Sequence, residues 1–174
     1  MKQLTHYNTH FKKQTFPIIL VCDNITNAPN IGSLFRTADA FGIDKIIFCG
    51  SKIPLGRKMT KTSRATEKVI SYEEIESISE MIQHLKAEEY QIVSLEITNN
   101  SQSLEDVIFP KNKKIALIIG DENFGVSEAV LNLSDAIIHI NMFGQNSSMN
   151  VVQATSITLY EMTRQFLKNK NLAV

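Results

Sequence analysis

Five short apolar runs recur along the chain, at residues 18–22, 45–49, 92–95, 115–119 and 136–140. They are rich in Ile and Val and barely alternate with polar residues, which predicts parallel strands covered on both faces. Between them the apolar period lengthens to that of helices. Residues 30–41 place Ile31, Leu34, Phe35, Ala38 and Phe41 on one stripe and stop at Gly42, a good C-terminal breaker. Arg36 and Ser33 lie off that stripe, so Arg36 is not committed to the core. Residues 73–87 place Ile75, Ile78, Ile82 and Leu85 on one face, after Ser71-x-x-Glu74, a capping-box spacing. Residues 125–133 predict a short helix. The last helix is predicted over about 148–168, with Val152, Leu159, Met162 and Phe166 on one face and a first half apolar nearly all round. Such a start is buried against the domain or against another subunit. Strands alternating with helices predict an α/β fold with a parallel sheet.

Three of these strands run into polar loops that then open helices. The first strand is followed by N-I-T-N-A-P-N-I-G-S-L-F-R at 24–36, the fourth by G-D-E-N-F-G-V-S at 120–127, and the fifth by I-N-M-F-G-Q-N-S-S-M-N-V at 140–151. Buried strands that deliver polar loops to one sheet edge form paired ligand-holding loops in α/β proteins.

Composition narrows the class without naming a function. At 174 residues, the chain suits one domain with its own core. A hydrophobic share of 43% and a charged share of 21% fit a soluble globular protein. No apolar run approaches the roughly 18–20 residues that span a bilayer, and the N-terminus lacks a signal-peptide core, so a cytoplasmic protein is expected. Cys22 and Cys49 read as buried, reduced thiols. His6 and His10 have i, i+4 spacing but no third ligand in view, so no metal is expected.

Net charge is zero, yet unevenly spread. Residues 52–68 carry Lys52, Arg57, Lys58, Lys61, Arg64 and Lys68 against Glu67 alone, whereas residues 73–89 carry six glutamates against Lys86. The basic stretch contains Pro54 and Gly56 and shows no helical stripe. It reads as an exposed loop, either simply solvated or able to meet phosphates.

Standard nucleotide motifs are missing. No G-x-G-x-x-G follows the first strand, and Gly120 to Gly125 has phosphate-loop spacing but is followed by Val126-Ser127 instead of Lys-Ser/Thr. No Ser/His/Asp arrangement is evident, with His84 in a predicted helix and His139 in a strand. What remains is Asn30, Arg36, Glu122, Asn123, Ser147, Ser148 and Asn150. Amides, hydroxyls and a guanidinium bind, orient and stabilise charge, which suits a transfer whose reactive group arrives on a cofactor. Each also has a plain structural reading. Asn30 reads as a helix cap, Glu122 as a first-turn acid, Ser148 and Asn150 as caps of the last helix, and Arg36 as a surface pairing partner.

These three loops, in this order and at these separations, resemble the motifs of the SPOUT superfamily, and within it the TrmH-type RNA ribose 2′-O-methyltransferases. The resemblance covers about residues 17–167. It implies an α/β knot with a C-terminal trefoil, S-adenosylmethionine as cofactor, and a homodimer with the active site at the subunit interface. It assigns Asn30 and Arg36 to the first motif, Glu122 to the second, and Ser148 and Asn150 to the third. It maps cofactor contacts, largely through backbone groups, to Leu95, Gly120, Ile140, Met142 and Met149. Asn141 stands where the family usually has Pro, and Met149 where it often has Leu. The substrate implied is RNA, transfer RNA ahead of ribosomal RNA, gripped by Arg57, Lys58, Lys61 and Arg64, with Lys12, Lys13, Arg164 and Lys168 as contributors. Only RNA offers the 2′-hydroxyl. Two rivals keep the fold: a base-nitrogen methyltransferase and a non-catalytic RNA-binding module.

Overall fold

The computed structural model describes residues 3–4, 8–9, 11–110 and 112–171. His6 and His10 lie outside these residues. Seven strands form a single sheet: β1 (Phe16–Asp23), β2 (Ile43–Cys49), β3 (Ser71–Ile75), β4 (Tyr90–Leu95), β5 (Gln102–Ser103), β6 (Lys114–Gly120) and β7 (Ala136–His139). Their order is β3-β2-β1-β6-β4-β7-β5, and every pairing is parallel. Five helices pack around the sheet: α1 (Ala28–Phe41), α2 (Arg57–Ser63), α3 (Ile78–Ala87), α4 (Glu128–Leu133) and α5 (Val151–Asn171).

The unbroken apolar runs are explained by a core on each face. Ile18, Leu20 and Cys22 point into one layer with Ile31, Leu34 and Phe35 of α1 and Leu159, Met162 and Phe166 of α5. Ile19 and Val21, their alternate neighbours, point into the other with Met81, Ile82 and Leu85 of α3 and Val130 of α4. Ordinary α/β layering thus follows from the hydrophobic pattern.

Three expectations are corrected. Residues 71–75 do not begin a helix but form edge strand β3, paired with β2 from Lys45↔Ser71 to Cys49↔Ile75. Tyr72 packs edge-on against Phe35 at 5.3 Å, and Lys45 pairs with Glu73 at 3.0 Å across the strands. These tertiary contacts outweigh the local helical pattern. The helix starts one capping signal later, at Ser77, whose side chain accepts from the Glu80 N–H at 3.3 Å. The basic stretch, expected as a loop, contains helix α2 and a 3-10 turn, Thr66–Lys68. Met59 and Ser63 are the buried residues of α2, too few to print a stripe on the sequence. The last helix also begins later than expected, at Val151.

Candidate active site

The carboxyl ends of β1, β4, β6 and β7 open on the same edge of the sheet, and α1 starts there too. α1 is capped by Asn27, whose side chain accepts from the Asn30 N–H at 3.2 Å. Asn30 is therefore not the cap, and its side chain is free for other partners. Its amide nitrogen donates to Oε1 of Glu122, in the loop after β6. Its amide oxygen accepts from Nδ2 of Asn150, in the loop after β7, at 3.3 Å. The first turn of α1 and two loops far apart from it in sequence thus meet at one asparagine. Asn150 has a second task, because its Oδ1 accepts from the Val152 N–H at 2.9 Å and caps α5.

Beside this link lies a cleft of about 560 Å³ walled by Leu95 and Ile97 at the end of β4, Gly120 and Glu122 at the end of β6, and Ser148. A smaller cleft of about 110 Å³ adjoins it and is walled by Ile140, Met142 and Met149 as well as Leu95 and Ser148. All five residues mapped to the cofactor line one or both clefts. Gly120 must be glycine, since a Cβ there meets the backbone of Gly125 and Val126 at 2.1–2.2 Å.

Arg36 is placed differently. It is exposed two turns along α1, about 9 Å of helix rise from Asn30. It shares a groove of about 620 Å³ with Lys61 and Arg64, closed on the far side by Val152 and Ser156 of α5. No acid lines that groove, and Arg36 has no hydrogen-bond or ion-pair partner among the described residues. Its reading as a surface pairing partner therefore finds no support. Gly32 makes the groove possible. A Cβ at that position meets Thr62 Oγ1 at 2.1 Å and the Met59 carbonyl oxygen at 2.2 Å, so α1 and α2 pack backbone to backbone. Arg57, Lys58, Lys12, Lys13 and Lys168 are exposed outside the groove lining. Arg164 is not a free cation. Its guanidinium forks onto Glu161 at 2.6 and 2.7 Å and, as the main cause, holds that carboxyl below the usual range.

Two supporting acids escaped the sequence reading. Asp23, 2% exposed at the end of β1, accepts from the Ser127 N–H at 3.1 Å and the Ser127 hydroxyl at 2.8 Å, fixing the start of α4. Glu96 accepts from the Val126 N–H at 2.9 Å and from its own neighbour Ile97 N–H at 2.8 Å, at the cleft wall. An acid directly after an apolar run, at 18–22 and 92–95, was the available signal. Chemically, the arrangement is a small, mainly apolar cleft, a larger one that mixes apolar groups with the carboxylates of Glu96, Asp121 and Glu122, and a separate cationic groove. Amides, carboxylates and a guanidinium in such positions suit binding and orientation.

A family model described as the SpoU rRNA Methylase family matches residues 17–160. The chain is 29% identical over 167 residues to the tRNA (guanosine(18)-2'-O)-methyltransferase of Aquifex aeolicus, covering 94% of this chain and 77% of that one. Two further curated relatives are longer, and the chain spans 61% and 64% of them. The crystal structure of the A. aeolicus TrmH/SpoU tRNA modifying enzyme superposes with a TM-score of 0.81 at 28% identity, over 91% of this chain and 79% of that one. A SpoU methyltransferase of Streptomyces viridochromogenes, solved in complex with the cofactor AdoMet, superposes with a TM-score of 0.77 at 25% identity, over 91% of this chain and 63% of that one. The family match takes in the sheet from the second residue of β1 onward, with Asn30 and both loops that reach it, and the chain belongs to the SpoU rRNA Methylase family.

Proposed function

We propose that this chain is an S-adenosylmethionine-dependent RNA methyltransferase that modifies a ribose 2′-hydroxyl, of transfer RNA ahead of ribosomal RNA. The observation that carries the reading is the junction of Glu122, Asn30 and Asn150 at the mouth of the double cleft. The cleft suits the cofactor. Leu95, Ile97, Ile140, Met142 and Met149 offer apolar faces for an adenine, and Glu96 and Glu122 offer negative charge to a sulfonium and an ammonium. A sulfonium methyl is already activated, so the protein's task is alignment, worth on the order of 7–11 kcal/mol at best.

Arg36 is assigned to the attacking oxygen as an electrostatic stabiliser. A guanidinium keeps its proton and is a poor base, so the hydroxyl proton passes to a substrate phosphate or water. Lys61 and Arg64 hold the neighbouring RNA phosphates, with Arg57 and Lys58 extending the grip. Asn30 keeps Glu122 and Asn150 in register, and Ser148 shapes the cofactor loop. Within one chain, Arg36 lines a groove separate from the double cleft. That separation supports a homodimer in which Arg36 of one protomer serves the cleft of its partner. Ile157, Tyr160 and Leu167 leave an apolar stripe exposed on α5, in keeping with such a pairing. We assign the loops after β4, β6 and β7 to a trefoil knot, a reading supported by strand order β6-β4-β7 and by the clefts these loops share. No helix among the described residues is long and apolar enough to cross a membrane, and a role in RNA modification supports our assignment of the enzyme to the cytoplasm.

The decisive experiment compares the native protein with Arg36→Ala. Calorimetry measures uptake of S-adenosylmethionine, and mass spectrometry of digested RNA locates the methyl group. The native protein is expected to place it on a ribose. The variant should keep the cofactor affinity within about three-fold and lose nearly all turnover, on the order of a thousand-fold. Methyl found on a base, or near-normal turnover by the variant, refutes the assignment.

A further inference from the structure

We propose that Asn141 is a positioning residue whose side chain clasps the loop after β7 to strand β5 and so holds Ile140 and Met142 in place as cleft walls; this rests on the cofactor reading above. β5 is two residues long and pairs with β7 only through Gln102↔Ile138 and Ser103↔His139. A ladder that short at a sheet edge opens easily unless something else holds it. Side chains continue the attachment where the ladder stops. His139 Nδ1 lies 3.0 Å from Ser101 Oγ. Two residues on, Asn141 Nδ2 donates to Ser103 Oγ at 2.9 Å and to Glu105 Oε1 at 2.5 Å.

The anchor on the other side is firm. Glu105 sits in the 3-10 turn Leu104–Asp106, and Leu104 is buried in the core between β5 and α5. Asn141 itself is exposed and contributes no apolar packing. Its neighbours on either side, Ile140 and Met142, both wall the smaller cleft. Cutting the clasp therefore leaves the core intact and frees the cleft wall. A bond from an amide to an ionised carboxylate is stronger than a neutral one, which makes Glu105 the principal partner.

The test uses the full chain as Asn141→Ala, Asn141→Asp, Glu105→Gln and the double variant N141D/E105Q. Calorimetry reads S-adenosylmethionine affinity, thermal melting reads the ligand-free fold, and amide exchange reads residues 139–143. Asn141→Ala should weaken the cofactor about ten-fold, one lost charge-assisted bond, with little change in melting temperature. Asn141→Asp should weaken it further, because two carboxylates then face each other. In N141D/E105Q the Gln amide donates to the new carboxylate, and affinity should return to within about three-fold of native. Equal affinity of Asn141→Ala and native protein, or a double variant no better than Asn141→Asp, overturns the proposal. If the native protein takes up no S-adenosylmethionine, the cofactor reading fails, and exchange then decides the clasp alone. Faster exchange at Ile140 and Met142 in Asn141→Ala upholds it, and unchanged exchange overturns it.

Discussion

Asn30 shows how much one side chain organises at this sheet edge. Because Asn27 caps the helix, both ends of the Asn30 amide reach other loops, one to Glu122 and one to Asn150. The cysteines illustrate the opposite, residues held out of any chemistry. Burial pushes the Cys49 thiol up to about 12, with the Asp23 charge adding to it, and burial also raises Cys22 well above the ordinary thiol value. An unfolded thiol ionises near its ordinary value of 9.0, well before the folded one. The stabilisation linked to Cys49 is therefore complete below about pH 9 and lost as pH climbs towards 12, at about 1.4 kcal/mol per pH unit. Denaturant melts should show the stability gap between native protein and Cys49→Ala narrowing from pH 8 to pH 11. A gap that stays constant contradicts the burial argument.

At the scale of elements, the pairing of α1 and α2 governs where positive charge accumulates. α2 is seven residues long, too short to be stable by itself, and owes its place to Gly32 on α1 and buried Met59. In Gly32→Ala the added methyl meets the Met59 backbone, which has no flexible end to move aside. We expect α2 to be displaced, with a loss of about 1–3 kcal/mol in stability. The melting temperature should fall by several degrees, at about 2–4 °C per kcal/mol for a chain of this size. RNA retention at fixed low salt should weaken too, because Lys61 and Arg64 move away from Arg36. Retention and melting both at native values would show that the two helices do not need this contact.

At the scale of the whole molecule, two faces of α5 have different fates. Thr155, Leu159, Met162 and Phe166 are buried, while Ile157, Tyr160 and Leu167 face outward with Phe143 nearby on the loop after β7. An outward apolar stripe on a helix that also closes the Arg36 groove at Val152 and Ser156 makes pairing and activity one question. Ile157→Asp places a charge at the N-terminal end of that stripe, beside Tyr160 and Phe143. Sedimentation should show the native protein as a dimer and this variant as a single chain, with its fold retained and its methylation reduced at least ten-fold. A native protein that sediments as a single chain while fully active removes the partner from the mechanism.

The order of strands and helices was legible in the sequence because a sheet covered on both faces demands unbroken apolar runs, and the runs at β1, β2, β4, β6 and β7 are long enough to display them. The three polar loops were legible too, since each follows such a run. Short or edge elements were not. β3 and β5 bury little, α2 has one apolar anchor, and the true cap Ser77 was preceded by a false one at Ser71, so local pattern had nothing decisive to say. Strand order, the meeting of Glu122, Asn30 and Asn150, and the distance between Arg36 and the cleft depend on contacts across about a hundred residues of chain. Periodicity records only which residues leave water. Which of them then touch is decided by packing, and that lies in the tertiary structure alone.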